Sequence, residues 1–201
     1  MKIILASSSP RRVELLQNIF PAFNCFPPEV KEVQNESIPV ETLVINNAHL
    51  KLNDVWQKLS FKEMLVIAAD TIVLTRKGKI LGKPRGYEEA FSFLKLLSGD
   101  FHYVITGISF ATQTLKQCTR KSFAENSTVY FSKLSSSQID QYLQQFNPLD
   151  KAGAYGIQEL PPKWIEKVEG SISNVIGLPL ETLHRELLVQ RDALNVPLNL
   201  L

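Results

Sequence analysis

The chain has 201 residues, with 22 Lys and Arg against 20 Asp and Glu, a formal net charge of +2, and 44% hydrophobic residues. That length suits a single domain with a sizeable core, here spanning 1–201 and allowing two lobes. The composition excludes disordered and membrane classes, and a charge so near zero gives no general attraction for nucleic acid.

Cys25 and Cys118 lie far apart and match no metal or redox spacing, so they read as free thiols of a reducing compartment, the cytosol. After Met1 and Lys2 the apolar run covers only residues 3–6, too short for a signal peptide. No stretch approaches a membrane span. A cytoplasmic protein without membrane attachment is expected.

Ile3, Ile4 and Leu5 predict a short buried strand. Ser7, Ser8, Ser9, Pro10, Arg11 and Arg12 follow, and then Val13, Leu15, Leu16 and Ile19 at helical spacing. Proline suits the first turn of a helix, and Ser9 suits the N-cap before it. A strand, a hydroxyl-rich turn and a helix start form an anion site, and two arginines add forked donors that match phosphate oxygens. A capped helix with two solvated arginines reads equally well from spacing alone.

Residues 20–28 predict a turn and a strand, and 40–59 a helix whose patchy inner face includes Leu43, Val44, Asn47, Leu50, Lys51, Asp54 and Val55. The run 65–69 reads as a strand covered on both faces, ending at Asp70 and Thr71 and resuming at 72–74. A hairpin around Gly78, a loop at 82–85 and a helix at 87–97 closed by Gly99 come next. Residues 102–110 predict a strand, and 119–131 one or two more around a polar turn. Ser137 with Asp140 reads as a capping pair for a helix to about 146. A strand at 164–168 and a helix at 180–194 complete the chain, with a loose tail past Pro197. Helices and strands interleave, so the class is α/β.

Asp70 is the most informative single residue. A carboxylate after five apolar residues marks the carboxyl end of a buried strand, where open sheets place their ligands. On local pattern alone Glu32 and Lys51 read as solvated surface. The spacing Gly78-x-x-x-Gly82-Lys83-Pro84 is one residue short of a phosphate loop and lacks its Ser/Thr, which excludes a Walker-type NTPase. His49, His102 and His184 show no metal spacing and read as packing or surface residues. Carboxylates with Lys and Arg remain, a combination suited to metal-assisted attack on a phosphate chain.

Ser7-Ser8-Ser9-Pro10-Arg11-Arg12, Ala69-Asp70-Thr71, Gly82-Lys83-Pro84-Arg85 and Asp150-Lys151-Ala152-Gly153-Ala154-Tyr155-Gly156-Ile157-Gln158 together resemble the Maf family of nucleoside triphosphate pyrophosphatases. Ser98-Gly99, His102-x-Val104-x-Thr106-Gly107 and Val175-Ile176-Gly177-Leu178-Pro179 fall in the same order, so the resemblance runs from about Ile3 to Leu194. It implies a mixed twisted sheet flanked by helices, in two lobes with a central cleft. It also implies a divalent metal, Mg2+ or alternatively Mn2+, and cleavage between the α and β phosphorus atoms that releases pyrophosphate. Such a reaction clears non-standard or excess nucleotides.

By the same resemblance Asp70 is the proton acceptor, and Ser7, Ser9, Arg12, Lys51 and Lys83 surround the triphosphate. Glu32 joins Asp70 at the metal. Arg11, Thr71 and Gln158 occupy the positions at which the family's dTTP/UTP group differs from its 7-methyl-GTP group, and match the former. An amide at 158 answers the N3–H donor and carbonyl acceptor of thymine or uracil, whereas a carboxylate suits guanine's adjacent donors. Glu159-Leu160-Pro161-Pro162 departs from the glycine-rich continuation common in the family. Expected partners are the nucleoside triphosphate and a second copy of the chain. Rival readings are the same chemistry on 7-methyl-GTP, a nucleotide-binding regulator of septum formation, and nucleic-acid binding. The last is disfavoured by the near-neutral charge and the lack of an aromatic platform.

Overall fold

A computed structural model describes residues 1–189 apart from Glu36 and Lys116. Seven strands form one mixed sheet in the order β2-β1-β3-β5-β6-β7, with β4 paired to β3. They are β1 (Lys2–Ala6), β2 (Asn24–Cys25), β3 (Met64–Thr75), β4 (Ile80–Leu81), β5 (Phe101–Gln113), β6 (Cys118–Phe131) and β7 (Ile165–Glu169). The helices are α1 (Pro10–Gln17), α2 (Val40–Lys58), α3 (Tyr87–Leu97), α4 (Ser136–Gln145), α5 (Ile172–Ile176) and α6 (Leu180–Leu188). The expected α/β class and mixed sheet with flanking helices are present. The chain divides into two compact units, the first holding Met1–Asp70, Thr106–Glu125 and the chain from Gly177, the second Thr71–Ile105 and Asn126–Ile176.

The first unit is organised by strand parity. β1 pairs in parallel with β2 and with β3, from Lys2 opposite Met64 to Ala6 opposite Ala68. Successive side chains of a strand face opposite ways. The odd set Ile3, Leu5, Leu65, Ile67 and Ala69 therefore packs with Leu16, Ile19 and Phe20 around α1 and with Leu180, Leu183 and Leu187 of α6. The even set Ile4, Ala6, Val66 and Ala68 packs on Leu52 and Val55 of α2. α2 also presses on β5: a Cβ at Gly107 would lie 2.4 Å from the Val44 carbonyl carbon, so only glycine admits this approach. In the second unit, Ala90, Phe93, Leu94 and Leu97 of α3 and Ile139, Tyr142 and Leu143 of α4 enclose a core with Val73, Leu81, Phe131, Tyr155 and Trp164.

The structure differs from the sequence reading at several places. β3 does not break at Asp70; the apolar residues that follow continue the strand and pair antiparallel with β4. Residues 118–131 form one strand that runs without a turn through half-buried Glu125 and exposed Asn126. The helix after it is capped two residues earlier, by a Ser135–Gln138 capping box, while Asp140 instead accepts a bond from Tyr87 Oη at 2.7 Å. The strand expected in 20–28 shrinks to two residues, Leu50 faces solvent, and the short helix α5 was not anticipated. α6 is described to Leu188; the rest of the helix expected to 194 and the tail past Pro197 lie outside the described residues.

Candidate active site

β1 ends at Ala6, and the chain turns through the serines into α1. Ser7 is buried, and its hydroxyl accepts the Ser9 amide at 3.1 Å. Ser9 occupies the N-cap position of α1, but its side chain makes no capping bond; the Ser7 hydroxyl, two residues earlier, instead fixes the turn that leads into the helix. Pro10 opens α1 without a backbone donor, the Val13 amide donates to the Ser9 carbonyl at 3.2 Å, and the positive end of the helix dipole lies toward the serines that precede it. Arg12 is anchored by a 2.8 Å bond from Nε to the Gly177 carbonyl. Burial pulls its pKa below the ordinary arginine value, while Asp70 and Glu32 pull it back up. A group with so high an intrinsic pKa keeps its charge throughout.

Parity decides where Asp70 points. It shares the even face of β3 with Val66 and Ala68, hence the face covered by α2, and it lies just past the end of the ladder with β1. Across from it α2 carries Asn47 and Lys51 one turn apart, on the same side of the helix. Lys51 Nζ donates to Asp70 Oδ1 at 2.6 Å and to the Ala69 carbonyl at 3.4 Å, and meets Glu32 Oε1 at 2.6 Å. Asn47 Nδ2 donates to Asp70 Oδ2 at 3.1 Å. The first unit thus gathers Glu32, Lys51 and Asp70 at one ammonium, within electrostatic reach of Arg12.

Among the described residues, no group of three or more His, Cys, Asp or Glu side chains is assembled as a metal site. Magnesium is commonly held by one or two carboxylates together with substrate phosphates rather than by an all-protein cage. Glu32 and Asp70 come from different segments and meet at the Lys51 ammonium, and they are the two carboxylates here that would hold such an ion together with substrate phosphates.

A family model described as Maf-like protein matches residues 2–190. The chain belongs to the Maf family. It is 46% identical over 187 residues, 93% of this chain and 97% of the relative, to a protein of Carboxydothermus hydrogenoformans named dTTP/UTP pyrophosphatase. Relatives bearing the same name in Caldicellulosiruptor saccharolyticus and Thermotoga petrophila are 42% and 43% identical, over 91% and 90% of this chain and 92% and 85% of their own lengths.

The remaining candidates of this Maf chain belong to the second unit, apart from Arg11, which sits half-buried in the first turn of α1. Thr71 follows Asp70 on β3 and is half-buried, Lys83 is exposed in the loop between β4 and α3, and Gln158 is exposed in a one-turn 3-10 segment, Ile157–Glu159. That segment is tied down by residues to which the sequence reading gives no role. Lys151 is buried, with Nζ donating to the Asn147 carbonyl at 2.5 Å and pairing with Asp150 at 3.0 Å and Glu159 at 3.2 Å. Tyr142 Oη donates to Glu159 Oε2 and accepts the Gly156 amide, both at 3.1 Å.

From the sequence Asn47 reads only as part of the patchy inner face of α2. The one signal that could have raised it is its spacing: a polar residue one turn before Lys51 on a buried stripe. His102 and His184 are buried and His49 half-buried, and Cys25 and Cys118 are free and exposed.

Proposed function

We propose that this Maf protein is a nucleoside triphosphate pyrophosphatase acting on dTTP and UTP, with magnesium as cofactor. The observation that carries the reading is the Asp70 carboxylate held between Lys51 and Asn47 on the inner face of α2, in a chain of this family. Bound magnesium supplies charge neutralisation along the phosphate chain, and Glu32 and Asp70 are the residues that would hold it.

Asp70 takes the proton of a water whose oxygen bonds to the α-phosphorus, while the bond from that phosphorus to the bridging oxygen breaks and pyrophosphate departs. Arg12, Lys51 and Lys83, with the hydroxyls of Ser7 and Ser9, offset the triphosphate's negative charge, without which an anionic nucleophile is repelled. Gln158 reads the base through N3–H and a carbonyl, aided by Arg11 and Thr71.

Two exposed free thiols suit a reducing compartment, and among the described residues no helix is long and apolar enough to cross a membrane. A cytoplasmic homodimer is the assembly to test, by sedimentation. For the activity itself, pyrophosphate release is measured from dTTP, UTP, CTP and 7-methyl-GTP with magnesium. The first two are expected to be the preferred substrates, Asp70→Asn is expected to reduce turnover to a small but measurable residual rate, and chelation of the metal is expected to abolish it. Equal rates on all four nucleotides, or full activity of Asp70→Asn, would overturn the reading.

A further inference from the structure

Asn47 is almost completely buried, at 2% exposure, and touches neither the nucleotide nor the attacking water in the chemistry above. Its amide is used nearly to capacity. Oδ1 accepts the Val33 amide at 2.8 Å, and Nδ2 donates both to the Val33 carbonyl at 3.1 Å and to Asp70 Oδ2 at 3.1 Å. These partners fix the orientation of the amide, since a flipped group would set its oxygen against the Val33 carbonyl and the Asp70 carboxylate. Val33 is the residue after Glu32. One side chain on a rigid helix therefore registers the segment carrying Glu32 and at the same time holds one oxygen of Asp70.

The other Asp70 oxygen is held by Lys51, itself fixed by Ala69 and Glu32. With a donor on each oxygen, the carboxylate has its rotamer set before substrate arrives. The paired bonds to Val33 are enough to pin the Glu32 segment; the third bond satisfies a buried carboxylate oxygen and ties that segment to the orientation of Asp70.

We propose that Asn47 is a positioning residue for the reaction, orienting Asp70 toward the attacking water and fixing Glu32 relative to it. The inference rests on the function proposed above. It acts through Asp70, so removing it should slow turnover while leaving nucleotide affinity in place.

The test is steady-state hydrolysis of dTTP with magnesium by the full chain, comparing wild type, Asn47→Leu, Asn47→Ser, Asp70→Asn and the two Asn47/Asp70 double variants. Circular dichroism confirms folding, and Asn47→Ser replaces Asn47→Leu where the larger change prevents it. Turnover of the Asn47 variant is expected to fall by roughly 10- to 100-fold. KM for dTTP should move less than about threefold, and in the Asp70→Asn background the same change should produce no further loss. Unchanged turnover, or an equal loss in both backgrounds, would overturn the inference and leave Asn47 a structural residue. Failure of the wild-type protein to hydrolyse any nucleoside triphosphate would instead overturn the function on which it rests.

Discussion

Lys51 Nζ and Asp70 Oδ1 lie 2.6 Å apart, with both side chains less than a tenth exposed. They come from α2 and β3, 19 positions apart in the chain. A buried pair of this kind adds little net stability over an apolar pair, but removal of one partner strands a charge away from water. Lys51→Met is therefore expected to destabilise the fold by about 3 kcal/mol as well as to abolish turnover. Adding Asp70→Leu should restore much of the stability and none of the activity. Urea denaturation of the two variants, beside their rates on dTTP, separates the structural from the chemical use of the pair.

Gly107 supplies a second prediction about the same helix. A Cβ there would meet the α2 backbone at 2.4 Å from the Val44 carbonyl carbon, 2.5 Å from its oxygen and 2.6 Å from the Ile45 nitrogen. None of these atoms sits at the end of a flexible side chain, so α2 as a whole has to shift. Gly107→Ala is expected to cost about 3 kcal/mol in chemical denaturation. Because α2 also carries Asn47 and Lys51, the surviving folded protein should turn over dTTP more slowly.

A third prediction concerns acid. His102 is fully buried, bonded through Nε2 to Tyr155 Oη at 2.7 Å and set edge-on to Phe131. Burial pushes its pKa from 6.5 down to about 3 despite an opposing pull from Asp100. Between those values the unfolded chain binds a proton that the native chain does not, so this contribution to stability is complete above about pH 6.5 and declines as the pH falls. The slope approaches about 1.4 kcal/mol per pH unit. Equilibrium unfolding at a series of pH values should show wild type losing stability faster than His102→Gln over this window. Parallel curves would show that His102 does not titrate on unfolding.

These residues were not equally legible in the sequence. Asp70 stood out because a charge inside a long apolar run has few explanations, and Ser7 through Arg12 because strand, turn and helix signals abut. Lys51 read as surface: helical periodicity identifies the buried stripe of α2 but not the acids, 19 positions away in either direction, that allow an ammonium to lie in it. Asn47 was hidden for the same reason, since its partners Val33 and Asp70 are brought to it only by the fold. The continuity of β3 and β6 was missed because local rules treat a polar residue as punctuation. In a sheet the neighbouring strand decides, as Leu81 does for Val73 and Glu169 for Thr128.

The last prediction tests base choice. Gln158 is exposed, but its neighbour Glu159 is held by both Lys151 and Tyr142, so its backbone is fixed while its amide stays available. A glutamine offers one donor and one acceptor, matching the N3–H and carbonyl of uracil and thymine. A glutamate offers acceptors only, matching the two adjacent donors of guanine and repelling the pyrimidine carbonyl. Gln158→Glu is expected to lower kcat/KM for UTP and dTTP by about 10- to 100-fold and to raise it for 7-methyl-GTP, because a polar mismatch leaves groups unpaired on both sides. The anchoring of Glu159 sharpens this expectation. In Glu159→Ala the loop loses the bonds from Glu159 to Lys151 and Tyr142 while the Gly156 amide still meets Tyr142, and discrimination among bases should weaken without reversing. Relative rates on UTP and 7-methyl-GTP that match wild type in Gln158→Glu would mean that the base is read elsewhere.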